Sequence, residues 1–315
     1  MKILEEVKGV ESIAISGHIR PDGDCVGSCM GLYLYLKKAL PEVETDVYLE
    51  QPADIFSCIQ DIDRIHFGEA PDKIYDVFIA LDCAEDRLGN AAQLFKKAKK
   101  RINIDHHISN MGCGDVNIIE PERSSTSELL YELLDPAYLD VEGAKALYIG
   151  IIHDSGIFQY SNTSPRTLQI AARLIGYGFD FPTLISETFY EKTYVQSQIM
   201  ARTVLESVRF LDGKCIVGIV DRKTMDFYHV EPKDLDGIVN QLRIVRGVEC
   251  AIFMYETAPM EYKVSMRSGD MVDVSRIAVT FGGGGHKKAA GCTMQGTCHD
   301  VINSLSLYIE EQLNA

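Results

Sequence analysis

The triplet Asp105-His106-His107 closes a short apolar run, RINID, and it is one of four polar clusters placed this way. The others are His18-Ile19-Arg20-Pro21-Asp22-Gly23-Asp24 after ESIAISG, Asp82 closing YDVFIALD, and Asp154 after LYIGII. An acid buried beside an apolar strand is costly unless it is paired or bound to a cation. Gly23 frees the backbone of the first cluster and Pro21 stiffens it, so Asp22 and Asp24 project from a rigid turn. Oxygen and imidazole donors with no obvious thiolate favour octahedral Mn2+ or Mg2+ over structural zinc. Four carboxylates and two imidazoles are too many for one catalytic ion and suit two. Two ions about 3.5–4 Å apart would clamp a phosphoryl centre and generate a hydroxide between them. Any one cluster alone reads as a helix cap or a structural histidine. Four in order on successive strand ends do not.

A second signal lies at residues 281–291, FGGGGHKKAAG. Gly282, Gly283, Gly284 and Gly285 would expose backbone N–H groups to an anion, and His286, Lys287 and Lys288 follow. Arg267, closing YKVSMR, suits a bidentate phosphate contact. A bare glycine run reads as a flexible hairpin loop; joined to basic residues it reads as an anion grip.

The elements that must position these groups alternate through the first half. Strands are expected at 11–17, 43–50, 75–82 and 101–105, with helices at 25–40 and 91–100. Ser125 with Glu128 forms a capping box opening a helix through Leu134, and Ser164-Pro165 opens a helix at 165–176. This rhythm predicts an α/β fold, a doubly wound parallel sheet. Such sheets bind ligands at the carboxyl ends of their strands. Residues 183–209 read as a connecting helix. Beyond it, strands at 214–221, 248–256 and 261–267 and helices at 236–245, 272–280 and 299–313 predict a smaller α+β domain. The expected organisation is a catalytic domain at 1–190, a helical linker at 191–207 and a substrate-binding domain at 208–315.

At 315 residues the chain is long enough for two cores. Its 31 basic and 46 acidic residues give a net charge of −15. That opposes binding to long nucleic acid, which runs on lysine and arginine, and leaves room for a short anionic substrate. No apolar run approaches the roughly 18 residues of a membrane span. Nine cysteines without a CxxC pair read as reduced thiols, and the expected location is cytoplasmic.

These motifs together resemble the DHH phosphoesterase superfamily, in the branch whose C-terminal domain carries GGGGH, here Gly282 to His286. The resemblance spans nearly the whole chain. It is closest to the stand-alone oligoribonucleases that also dephosphorylate pAp (3′-phosphoadenosine 5′-phosphate). It implies one Mn2+ on His18, Asp22 and Asp82, and a second on Asp24, Asp82, His106 and Asp154, with Asp82 bridging; Mg2+ or Co2+ are possible substitutes. It implies that His107 contacts the reacting phosphate, that Asp105 supports the histidines, and that Arg267, the glycine run and His286 grip the nucleotide. It also implies a homodimer.

Two positions depart from the family pattern. Arg20 replaces an Asn and reads either as an added phosphate contact or as a surface ion pair. Ser155 replaces a Thr and keeps the hydroxyl. Cys25 and Cys83 follow two ligand aspartates and read as small buried fillers; the sharper alternative is that their oxidation loosens the cations. His66, His153, His229 and His299 match no motif.

The expected activity is therefore Mn2+-dependent hydrolysis of short RNA or DNA oligonucleotides to 5′-mononucleotides, and of pAp to AMP, with substrate held across a cleft between two lobes. The alternative is hydrolysis of cyclic di-AMP or a linear dinucleotide. An inorganic pyrophosphatase is disfavoured by GGGGH, and a non-catalytic nucleotide sensor by the complete ligand set.

Overall fold

A computed structural model describes residues 2–314. The chain divides into two compact units, 1–191 and 192–315. The first unit contains α1 (Ile3–Glu6), β1 (Ser12–Ser16), α2 (Gly23–Ala39), β2 (Glu44–Tyr48), β3 (Ile65–His66), β4 (Val77–Leu81), α3 (Ala92–Lys97), β5 (Lys100–Asp105), β6 (Val116–Ile119), α4 (Thr126–Leu133), α5 (Val141–Asp154), α6 (Pro165–Ile175) and α7 (Phe181–Ile185). Its six strands are all parallel, in the order β3-β2-β1-β4-β5-β6. The doubly wound sheet expected from the sequence is present.

Burial explains why these runs are strands. All five residues of β4 are buried, which requires cover on both faces. On one face Ile13, Ile15, Val77, Ile79, Ile102 and Ile104 pack with α2, α4, α5 and α6. On the other, Ala14, Phe78 and Ala80 pack with Leu94 and Phe95 of α3. The order reverses at β1, which has β2 on one side and β4 on the other. The carboxyl ends of β1, β4 and β5 are therefore adjacent, at the kind of switch point where open α/β sheets leave a crevice.

The sequence reading needs correction at LYIGII. It lies inside α5, so Asp154 ends a helix and not a strand. A short apolar run does not distinguish a buried strand from a buried helix; here Asp140, accepting from Gly143 N, starts a helix that runs on to Asp154.

The second unit contains α8 (Tyr194–Leu205), β7 (Val208–Phe210), β8 (Cys215–Val220), α9 (Arg222–Tyr228), α10 (Ile238–Arg243), β9 (Cys250–Ala258), β10 (Glu261–Ser268), α11 (Val274–Thr280), β11 (Gly284–His286), β12 (Ala289–Gln295) and α12 (Cys298–Leu313). Its sheet is mixed, in the order β11-β12-β10-β9-β8-β7, with only β8 and β9 parallel. Residues 183–209 are not one helix. A π-helical turn at Ser186–Tyr190 ends the first unit, and α8 opens afresh on Thr193, whose capping box with Gln196 is complete. Ile199 of α8 packs with Ile216, Ala251 and Leu242 inside the second unit. Among the described residues, no helix is long and apolar enough to cross a membrane.

Candidate metal centre

β1 exits through Gly17. A Cβ there would lie 2.3 Å from Cys25 Sγ and 3.1 Å from Leu81 O, so only glycine lets the chain pass. His18 follows, 4% exposed. Asp22 is the N-cap of α2 and accepts from the N–H groups of Asp24 and Cys25, at 3.1 Å each. Gly23 leaves the space that the His153 ring fills, 2.3 Å from where its Cβ would be. Asp82 leaves β4 with φ +62°, a left-handed conformation that Asp adopts more readily than most residues. Asp105 ends β5 and accepts from the N–H groups of His106 at 2.7 Å and His107 at 3.0 Å.

These side chains converge. His18 Nε2 is 3.4 Å from Asp82 Oδ2 and 3.6 Å from Asp22 Oδ1. His106 Nε2 is 3.1 Å from Asp154 Oδ2, 3.6 Å from Asp82 Oδ1 and 4.0 Å from Asp24 Oδ2. Asp82 thus faces His18 with one carboxylate oxygen and His106 with the other. His107 Nδ1 is 2.8 Å from Asp105 Oδ1 and 3.5 Å from Asp82 Oδ1. Ligand atoms of Asp24, His106 and Asp154 lie within 4.8 Å of one another, as do those of Asp82, His106 and His107.

The electrostatics fit a cation. Burial pushes the Asp82 carboxyl up to about 7, helped by the neighbouring Asp24 charge. Burial likewise raises Asp24, against the pull of His106, and lifts Asp154 well above the usual range, with Asp24 and Asp22 adding to it. Burial alone would lower His18, but its hydrogen bonds with Asp22 and Asp82 outweigh that and raise it to about 11. Crowded buried acids whose charged partners are imidazoles form an oxygen-rich donor set that a divalent cation would satisfy.

Residues not singled out from the sequence hold these side chains in place. The Arg123 carbonyl is 3.2 Å from His106 Nδ1, which turns Nε2 toward the acids. Asn110 Nδ2 donates to Asp105 Oδ2 at 2.6 Å. Thr126 Oγ1 donates to Asp82 Oδ1 at 3.1 Å. The N–H groups of Thr126 and Ser127, at the N-terminus of α4, donate to Asp24 at 2.6 and 2.9 Å, where the helix dipole favours negative charge. The hydroxyl-rich run Ser124-Ser125-Thr126-Ser127 at a helix start was the available signal.

Arg20, also left-handed at φ +54°, is fixed by its backbone: its N–H donates to Glu50 Oε2 at 2.7 Å. The other sequence-nominated residues lie in the second unit. Arg267 of β10 and His286 of β11 both pair with Ala289 of β12. The three stand in one row on one face of the sheet, with the small alanine between the guanidinium and the imidazole. Adjacent strands are about 4.8 Å apart, so the outer two are roughly 10 Å apart. The N–H groups of Gly282 and Gly283 donate to Val279 O and Ala278 O at 3.0 and 2.8 Å, closing α11.

Two family models match the chain. Residues 12–151 match the DHH family N-terminal domain, and residues 212–315 match the DHHA1 domain. A bifunctional oligoribonuclease and PAP phosphatase NrnA from Thermus thermophilus is 30% identical over 305 residues, covering 94% of this chain and 89% of that protein. The chain belongs to the DHH family. It is accordingly a hydrolytic, metal-dependent phosphoesterase. In fold, this DHH protein matches an exopolyphosphatase-related protein from Bacteroides fragilis with a TM-score of 0.90 at 23% identity, covering 99% of this chain and 95% of the other. It also matches RecJ in complex with Mn2+ from Thermus thermophilus, TM-score 0.56 at 13% identity, covering 99% of this chain and 53% of that one.

Proposed function

We propose that this DHH protein is a two-cation phosphohydrolase that cuts short oligonucleotides to 5′-mononucleotides and converts pAp to AMP. The observation that carries the reading is Asp82, whose Oδ2 lies 3.4 Å from His18 and whose Oδ1 lies 3.6 Å from His106. One carboxylate can then serve two cations. His18, Asp22 and Asp82 would hold one, and Asp24, Asp82, His106 and Asp154 the other. Manganese suits the oxygen and imidazole donors, and the RecJ relative holds Mn2+. Divalent cations, when bound, lower the pKa of water and offset charge on a transferring phosphoryl group.

The chain's own residues supply the rest. The Asp105 hydrogen bond raises His107 to about 9 in the metal-free chain, and with Nδ1 turned to Asp105 the ring has Nε2 left to donate to a phosphoryl oxygen. Asp105, held by two N–H groups and by Asn110, fixes that ring. Arg267 and His286 bind the substrate's other phosphate. A substrate of one or two nucleotides needs no long basic groove, which agrees with a net charge of −15. The Thermus thermophilus relative is named for both activities.

The test is a substrate panel with Mn2+, comparing a dinucleotide, pAp and cyclic di-AMP, with bound metal counted by mass spectrometry. The reading expects two ions per chain and kcat/KM for dinucleotide and pAp at least about tenfold above that for cyclic di-AMP, or about 1.4 kcal/mol. The opposite order would make the protein a cyclic dinucleotide phosphodiesterase.

A further inference from the structure

Cys25 lies in the first turn of α2, one residue past Asp24, and its thiol is fully buried. Its Sγ, a ring nitrogen of His18 and a carboxylate oxygen of Asp82 all lie within 4.8 Å of one another. The thiol packs on Gly17, in the space where that residue's Cβ would be, and sits 3.8 Å from the His18 carbonyl. His18 Nδ1 faces the Ile19 carbonyl at 2.9 Å, so Nε2 is the nitrogen turned to the acids. Asp22 Oδ1 is 3.6 Å from that Nε2. An imidazole, a thiol and a carboxylate therefore gather at one place, with the Asp22 carboxylate beside the imidazole.

This donor set differs in kind from that of His106, Asp24 and Asp154. Three of its members suit a hard cation that keeps open coordination positions. Adding sulfur makes a set suited to zinc or cadmium, which accept thiolate readily and close into four-coordinate tetrahedral sites. We infer that His18, Cys25, Asp82 and Asp22 form a site for thiophilic cations, overlapping the hard-cation position and closing it. On binding, the Cys25 S–H bond breaks, its proton passes to solvent and a sulfur–metal bond forms, with no change of oxidation state. Manganese uses the same histidine and carboxylates and leaves the thiol intact. The phosphohydrolase is then silenced by zinc or cadmium in competition with manganese. That consequence rests on the two-cation reading; the thiolate site itself does not.

The experiment uses the metal-free full chain. Cadmium is titrated while the ultraviolet thiolate-to-cadmium charge-transfer absorption is followed, then displaced with Mn2+, whose own binding is read by electron paramagnetic resonance. The inference expects a cadmium band that Mn2+ removes, that is lost in Cys25→Ala and in the volume-conserving Cys25→Ser, and that persists in Cys29→Ala and Cys83→Ala. Cadmium affinity should fall at least about tenfold in Cys25→Ala, the scale of losing a group that supports a metal, while Mn2+ affinity shifts less than about twofold. A band that survives in both Cys25 variants, follows Cys29 or Cys83, or resists Mn2+ overturns the inference. Manganese binding to wild type without the Cys25 band leaves the phosphohydrolase reading standing and removes this one. A Cys25 band in a protein that does not bind Mn2+ does the reverse.

Discussion

In the first unit the centre of the cluster is buried, with His106, His107 and Asp154 half-buried around it and Asp22 exposed at its edge. Asp24, Asp82 and Asp105 are at most 1% exposed, and each accepts at least one hydrogen bond from protein. In the second unit His286 is exposed, Arg267 is half-buried, and strand register aligns them. A buried cluster of acids has one arrangement, because every oxygen must find a donor or a cation. An exposed row tolerates change, because water takes over whatever a substitution leaves unmet. The first region should therefore control turnover, and the second should control how tightly substrate is held.

The largest expected effect is at Asp82. Asp82→Ala removes the carboxylate that faces both His18 and His106, and with it the shared ligand of both proposed cations. Turnover should fall by at least about 10³-fold, the several kcal/mol that bound cations contribute, and bound manganese should drop below two per chain. Wild-type turnover in this variant would break the comparison at its stronger end.

Arg267→Ala and His286→Ala come next. Each should raise KM about tenfold, within the range for a charged hydrogen bond to phosphate, and leave kcat within about twofold. A fall in kcat with KM unchanged would place these residues at the reacting phosphate and erase the division of labour. The row they form was only partly legible. Arg267 ends an alternating strand and His286 follows glycines, which marked both as basic residues near a flexible segment. That both pair with Ala289 depends on the register of three strands, and β11 is only three residues long.

The pH dependence separates the regions more gently. In metal-free protein the Asp82 carboxyl is held up at about 7, whereas an unfolded Asp titrates near 3.9. The folded state binds more protons between these values, so this group's contribution is present below about pH 4 and lost as pH rises through 7. Manganese bound at the proposed centre would displace that proton. The rise in Tm on adding Mn2+ should therefore be larger at pH 8 than at pH 5, by several degrees at about 2–4 °C per kcal/mol. Among the described residues the second unit has no such buried acid, so the Arg267→Ala protein should show the same pH trend. An Mn2+ effect independent of pH would show that Asp82 is already ionised without metal.

Most of the convergence was legible because burial imposes rules on sequence: an acid after an apolar strand is expensive, and four such sites in order point to one edge. Asp154 joined that set for the wrong reason, since LYIGII reads equally as strand or helix until its N-cap at Asp140 is recognised. Thr126 and Asn110 were not found, because a neutral side chain that donates to a ligand leaves no mark beyond a polar residue near a turn. Cys25 was read as a filler because its neighbours along the chain do not reveal that Sγ lies within 4.8 Å of the His18 ring and the Asp82 carboxylate.

The glycine run gives the smallest effect and the finest division. Read from sequence, the four glycines form one anion grip. In the structure they differ. Gly282 and Gly285 have φ of +71° and +141°, and a Cβ on Gly283 would lie 2.1 Å from Gly291 O. Gly284 has an ordinary φ, and a Cβ there would meet nothing within 4 Å. Gly283→Ala should cost at least about 1 kcal/mol from backbone displacement, in the range for overpacking, whereas Gly284→Ala should stay within about 0.5 kcal/mol. Any change in KM for Gly284→Ala then reports approach of substrate rather than loss of fold. If KM rises severalfold while Tm is unchanged, bare backbone at residue 284 is part of the phosphate contact. If neither moves, the glycines serve only to turn the chain from α11 into β11, and the row of Arg267 and His286 binds substrate alone.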